Sequence, residues 1–320
     1  MFSIVYIPGV GAAGAVSTQG AAGAVSIAGA DQGSRKVSLF DAINHQLGSQ
    51  APLDGSMQGR PDSNTTPSMH TWTTTATDYE HHKGDFILDV QNITNAASQK
   101  SGLRVRNAHC TVFQEHTLDA EGRATFNLFC QESKLQAPKC GPLDPEHTKP
   151  SAGVGFSIAK PFSGIDIPPV TPGFTAAINT GRFGHHAIEI GSSTTVSIGN
   201  QYGWTGGHED TAVARRTNLL IKAYIEELEH HPPGPKLLVG DLNCEGAEDL
   251  THLQTLIDEQ GWVDIGKHAD KYGQPASQPT CRAPNSTVKT RRDYIYANPE
   301  ALAIIKHFSA MMKPFLSMQR

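Results

Sequence analysis

The tetrapeptide Gly240-Asp241-Leu242-Asn243 directly follows an apolar run, Lys236-Leu237-Leu238-Val239. A strand sends alternate side chains to one face, so Asp241 and Asn243 leave its end on the same side. A carboxylate beside an amide suits an attacking water and a phosphate oxygen. The carboxylate accepts a proton and the amide donates a hydrogen bond. Gly, Asp and Asn also favour turns, and taken alone the tetrapeptide reads more readily as a turn than as a site. Other polar residues repeat the placement. Glu115 follows Thr111-Val112-Phe113-Gln114. A carboxylate at a sheet rim is a natural ligand for a hard cation, and Mg²⁺ takes one or two carboxylates with water. Asn92 follows the run Phe86-Ile87-Leu88-Asp89-Val90, where it could orient a phosphate or cap a helix.

These residues need strands to hold them, and the chain alternates strand and helix patterns as an α/β layered protein does. Strands are expected at Phe86 to Val90, Cys110 to Phe113, Ala124 to Cys130, Gly153 to Ile158, Ala187 to Ile190, Val196 to Asn200, Lys236 to Val239 and Asp293 to Tyr296. A helix is expected over 93–107, weakened by Gly102. Another runs from Thr211 to His230, with Ile221, Ile225 and Leu228 on one stripe, and Pro232-Pro233-Gly234-Pro235 stops it. A third spans Ala247 to Gln260 and ends at Gly261. Pro299 to Phe308 reads as a late helix. Residues 1–80 read as low complexity, with GAAGAVS occurring at Gly11 and again at Gly20. Such a segment buries too little apolar surface to offset the entropy of ordering it. The folded domain is expected over residues 84–320.

Composition excludes little. The formal net charge is −5, so bulk charge does not advertise nucleic acid. Residues 282–320, however, hold seven basic side chains against two acidic ones, a local +5 that could face a phosphate backbone. The five cysteines are odd in number and form no CxxC pair, which speaks against a disulfide framework or zinc site. A reducing intracellular compartment, nucleus or cytoplasm, is expected. Residues 1–30 carry no charge, but without a basic n-region and with Gly and Ala dominant they do not read as a signal or membrane anchor. Oligomeric state is not legible.

The order of motifs is more specific than any one of them. Asn92, Gln114-Glu115, Gly153-Val154-Gly155, Tyr202-Gly203, a helix with Arg216, Gly240-Asp241-Leu242-Asn243, Thr280 and Arg292-Asp293-Tyr294-Ile295 follow one another. This series resembles the endonuclease/exonuclease/phosphatase superfamily, which includes apurinic endonucleases and DNase I. Within it, the resemblance is strongest to the endonuclease domains of non-LTR retroelements. It implies a DNase I-like, four-layer sandwich of two mixed β-sheets flanked by helices, an α/β (α+β) fold with its site at the strand ends. It implies a Mg²⁺- or Mn²⁺-dependent phosphodiester hydrolase acting on DNA. Glu115 and Asn92 would hold the metal, with Asn92, Asn243 and Tyr202 facing the phosphate. Asp241 would position or deprotonate water, and Asp293 would orient a catalytic histidine. Without the resemblance, Tyr202 reads equally as a core aromatic, and Asp293 as an ion-pair partner of Arg291 or Arg292. The superfamily's last strand ends in a histidine, usually Ser-Asp-His. After Ile295 this sequence has only His307, so the domain reads as incomplete at its C-terminus and its activity as open. A remnant that binds without cutting and a small-molecule phosphoesterase are the alternatives. His116, His185, His186 and His208 are candidates to stand in.

Overall fold

The computed structural model describes residues 2–6, 85–93, 108–133, 135–190, 194–245, 250–282 and 287–310. In chain order, β1 (Phe2–Tyr6), β2 (Phe86–Asn92) and β3 (Cys110–Gln114) precede helix α1 (Ala120–Glu132). Then come β4 (Lys139–Cys140), β5 (Val154–Ile158), β6 (Ser163–Asp166) and α2 (Pro172–Asn179). The long hairpin of β7 (Phe183–Ile190) and β8 (Thr194–Tyr202) leads to α3 (Thr211–Leu228), β9 (Lys236–Asp241), α4 (Thr251–Gln260) and β10 (Val263–Asp264). A short ribbon, β11 (Cys281–Arg282) with β12 (Lys289–Thr290), precedes β13 (Asp293–Ala297), α5 (Pro299–Leu302) and β14 (Ile305–Ala310).

Two six-stranded sheets result, ordered β14-β1-β2-β3-β5-β4 and β10-β13-β9-β8-β7-β6. Each is mixed: β2–β3 and β8–β9 are parallel pairs, and their neighbours are antiparallel. Strand alternation explains the layering. Leu88, Val90, Val112, Phe156, Ile198, Val239 and Ile295 fill the gap between the sheets. The opposite parity of the second sheet, including Leu238, Tyr294 and Tyr296, packs on α2, α3 and α4. Phe113 on the outer face of the first sheet packs on Phe126, Phe129 and Cys130 of α1. Helix, sheet, sheet and helix are the four layers expected.

Three expectations change. Ala124 to Cys130 lies within α1, not a strand. Asp119 caps that helix by accepting the Gly122 amide at 2.8 Å, and Phe126, Phe129 and Cys130 share its buried face. The late helix ends at Leu302, and Ile305 to Ala310 instead form a strand carrying His307. Two β-branched residues, Ile304 and Ile305, favour that strand, and β1 offers it an edge. Phe2–Tyr6, read as part of the low-complexity segment, is a strand inside the first sheet, with β14 on one side and β2 on the other. The helix expected over 93–107 falls, after Ile93, outside the described residues. So does the start of the expected 247–260 helix, whose described part is Thr251–Gln260.

Candidate functional site

The parity that fills the inter-sheet gap with apolar side chains also places polar ones at its end. Asn92 follows Val90, Gln114 follows Val112, Tyr202 follows Ile198 and Asn200, and Asp241 follows Val239, each in phase. Asp293 precedes Ile295 in the same phase. Registry brings them together across the second sheet. Tyr202 and Asp293 are the Cα partners of Asp241 on its two sides. Such partners lie about 4.5–5.5 Å apart. The sheets are then joined directly, because the Asn92 amide nitrogen donates to Asp241 Oδ2 at 2.9 Å. Deeper in the same gap, Gln114 donates to Asn200 at 2.6 Å. Asn200 in turn donates to the carbonyls of Phe113 and Gly155 at 3.0 and 3.1 Å.

Asp241 is therefore oriented at both oxygens, since Oδ1 accepts the Asn243 amide at 3.0 Å. Two N–H donors, one on each oxygen, fix the direction in which this carboxylate faces. Asn243 turns out of the strand at φ 52° and donates its side-chain nitrogen to the Gly203 carbonyl at 2.9 Å. Gly240 has φ 141°, and a Cβ there would lie 1.8 Å from the Gln201 carbonyl oxygen. The glycine of the motif is thus required by close approach of β8 to β9. Thr280 Oγ1 accepts the amides of Arg292 and Asp293, each at 3.1 Å, and fixes the start of β13.

Glu115 stands just past β3 with φ 58°. Its charge reaches Tyr202. Burial pushes the Tyr202 phenol well above its usual range, and Glu115 and Asp241 push it further. The phenol is a neutral hydrogen-bond donor at physiological pH. Four of the five described non-glycine residues with positive φ, namely Glu115, Thr117, Ala152 and Asn243, lie in the site or in the segments that flank Glu115. Strained backbone of this kind collects where geometry serves function.

Several contributors escaped sequence reading. Arg182 is buried and bound to Asp144 at 2.7 and 2.9 Å. Its guanidinium lies 5.2 Å from the Tyr202 ring centroid and 4.8 Å from that of Trp204, while its carbonyl accepts the Tyr202 amide. No local pattern announces this pair, whose members are 38 residues apart. The two arginines suggested as partners of Asp293 are engaged elsewhere. Arg291 forks onto Asp264, with one bond at 2.8 Å, and Arg292 donates to His208 at 2.9 Å. Part of the late basic stretch is thereby neutralised.

The histidines are placed as follows. His307 lies on β14 opposite Val5. His185 meets Ser197 on the outer face of the second sheet, and His186 meets Asp166. Among the described residues, no histidine hydrogen-bonds the Asp293 carboxylate. His116 is fully buried beside Glu115, and burial together with Arg123 lowers its imidazole to about 4. Nor, among the described residues, do three or more His, Cys, Asp or Glu side chains form a metal cage. A closed transition-metal site would need such a cage, whereas a Mg²⁺-type site of one carboxylate, an amide oxygen and substrate oxygens would not.

No protein-family model and no curated protein sequence matches the chain. Solved structures do match it. The 3'-5' exonuclease NExo from Neisseria meningitidis aligns with a TM-score of 0.51 and 16% identity, over 69% of this chain and 90% of that one. The Neisseria 3' phosphatase NExo bound to a product DNA hairpin aligns with a TM-score of 0.50 and 17% identity, over 66% and 86%. These neighbours are endonuclease/exonuclease/phosphatase superfamily members, and the fold they share with this chain is the DNase I-like sandwich.

Proposed function

We propose that this chain is a divalent-metal-dependent phosphodiester hydrolase acting on DNA, an endonuclease domain of the retroelement type. One observation carries the reading. The Asn92–Asp241 bond, 2.9 Å long between residues 149 apart, joins the two sheets where Tyr202, Asp241 and Asp293 lie side by side. That arrangement offers a fixed base, a neutral donor and a second carboxylate at one rim. Asp241, already oriented, takes the proton of the attacking water. Tyr202 donates to a phosphate oxygen, and Asn243 orients the phosphate. Glu115 and Asn92 would hold Mg²⁺ or Mn²⁺, which would neutralise charge at the phosphate. The retroelement assignment draws on the motif order, and DNA as substrate draws on the DNA-bound neighbour.

Nicking of supercoiled plasmid in Mg²⁺ or Mn²⁺ tests the proposal. Asp241→Asn should lower the rate by about 10²- to 10⁴-fold, the usual contribution of a positioned base. Cleavage that survives both Asp241→Asn and Glu115→Gln would refute it. A second reading, DNA binding without turnover, is favoured by the absence among the described residues of a histidine on Asp293. Metal-independent DNA binding by wild-type protein that never nicks would select it. Faster turnover of soluble phosphomonoesters than of plasmid would instead select a small-molecule phosphoesterase.

A further inference from the structure

The β3 ladder ends at Gln114, and the next residue turns into left-handed backbone, φ 58° at Glu115 and again φ 50° at Thr117. A non-glycine residue in this region is strained and persists only where its surroundings impose it. Here the imposition is visible. The His116 amide donates to the Gly153 carbonyl and the Thr117 amide to the Ala152 carbonyl, both at 3.1 Å. Between these clamps the His116 ring is buried with both nitrogens engaged. Nδ1 accepts the Leu118 amide at 3.0 Å. The ring proton therefore sits on Nε2, which donates to the Gly141 carbonyl at 3.3 Å. Arg123 steadies that carbonyl with a bond of 2.7 Å. The ring also stands directly on Gly153, where a Cβ would lie 2.4 Å from it, and meets Phe113 edge-on at 6.2 Å. The site takes a flat side chain with an acceptor on one edge and a donor on the opposite edge, which the ring supplies at full width.

We propose that His116 is a positioning residue for Glu115: its imidazole ties the start of α1 and the 141 and 153 loops into one frame that fixes the left-handed turn presenting the carboxylate to the divalent cation. The inference rests on the metal role proposed for Glu115. It extends to Gly153, whose missing side chain makes room for the ring.

Mn²⁺ binding to the full chain, followed by electron paramagnetic resonance, tests it without reference to turnover. Wild-type protein should bind Mn²⁺, and Glu115→Gln should lose it. His116→Phe keeps the ring's bulk and removes both bonds. It should weaken Mn²⁺ binding about 10- to 100-fold, the usual loss when a residue supporting a ligand is replaced. His116→Asn, which retains an acceptor for the Leu118 amide, should recover part of that loss. In nicking assays the metal concentration for half-maximal rate should rise while KM for DNA stays put, a split that general loosening would not produce. Folded His116→Phe protein with wild-type Mn²⁺ affinity overturns the inference and leaves the metal role of Glu115 intact. If His116→Phe does not fold, unchanged affinity in His116→Asn overturns it equally. Wild-type protein that binds no Mn²⁺ overturns the metal role itself, and the inference with it.

Discussion

Single residues set the chemistry of the rim through what grips them. Tyr202 stays protonated because burial, Glu115 and Asp241 all disfavour its phenolate. The proposed role is therefore hydrogen-bond donation, not proton transfer. Tyr202→Phe should lower plasmid nicking by about 10- to 100-fold, matching one hydrogen bond to a charged group. The pH–rate profile should keep its shape, and a lost basic limb in the variant would show that the phenol titrates during turnover. The Arg182–Asp144 pair is a different case. Removing one partner of a buried pair strands the other charge, at about 3–5 kcal/mol. Asp144→Ala should show that loss in urea unfolding, and a loss below about 1 kcal/mol would mean water reaches the guanidinium. The place of Asp241 at the strand end was legible in the sequence because strand parity is local, whereas Asn243 leaves the strand by a left-handed turn that alternation does not foresee. Arg182 was not legible, because its partners Asp144, Tyr202 and Trp204 come from separate segments.

Elements act by where they begin and end. The closeness of β8 to β9 depends on Gly240, and Gly240→Ala drives a methyl into the Gln201 carbonyl. Overpacking of that kind costs typically about 1–3 kcal/mol, and here the backbone at φ 141° adds strain. The midpoint of chemical unfolding should fall accordingly; an unchanged midpoint would show that the strands can part at no cost. The hairpin of β7 and β8 carries a pH dependence of its own. His185, buried against Ser197, Tyr224 and His231, is lowered to about 3, chiefly by burial and then by neighbouring His231. An unfolded histidine titrates near 6.5, so below that pH the unfolded state takes up a proton that the folded state refuses. The contribution is intact above about pH 6.5 and drains away as pH falls towards 3. Comparing the pH dependence of unfolding free energy in wild type and His185→Gln should show a flatter acid limb in the variant. Elements also mark where sequence reading stopped short. Ala124 to Cys130 is a short apolar run whose period suits strand or helix alike, and only the cap at Asp119 and the packing on Phe113 decide it.

At the scale of the whole molecule, the two sheets meet twice, in an apolar core and in the polar tier of Asn92, Gln114, Asn200 and Asp241 above it. The core was readable as alternating strands. The tier was readable only in part, since which polar residues face one another depends on sheet order. Least readable was β1, because its partners lie roughly 80 and 300 residues away. Ile4→Pro should disrupt β1, because proline removes a donor from one of its ladders and distorts a central strand that the other ladder also uses. Amide exchange should then rise together in β2 and β14, and Asn92 should lose its anchorage. Protection unchanged in both strands would show that β1 is dispensable to the sheet. The position of β1 also has a consequence for synthesis. Phe2 to Tyr6 are made roughly 300 residues before one of their two partners, Ile305 to Ala310. At roughly 5–20 residues per second, that is a delay of about 15–60 s. Throughout it the β14 side of the strand is an open edge, the kind of surface that chaperones shield and that neighbouring nascent chains can capture.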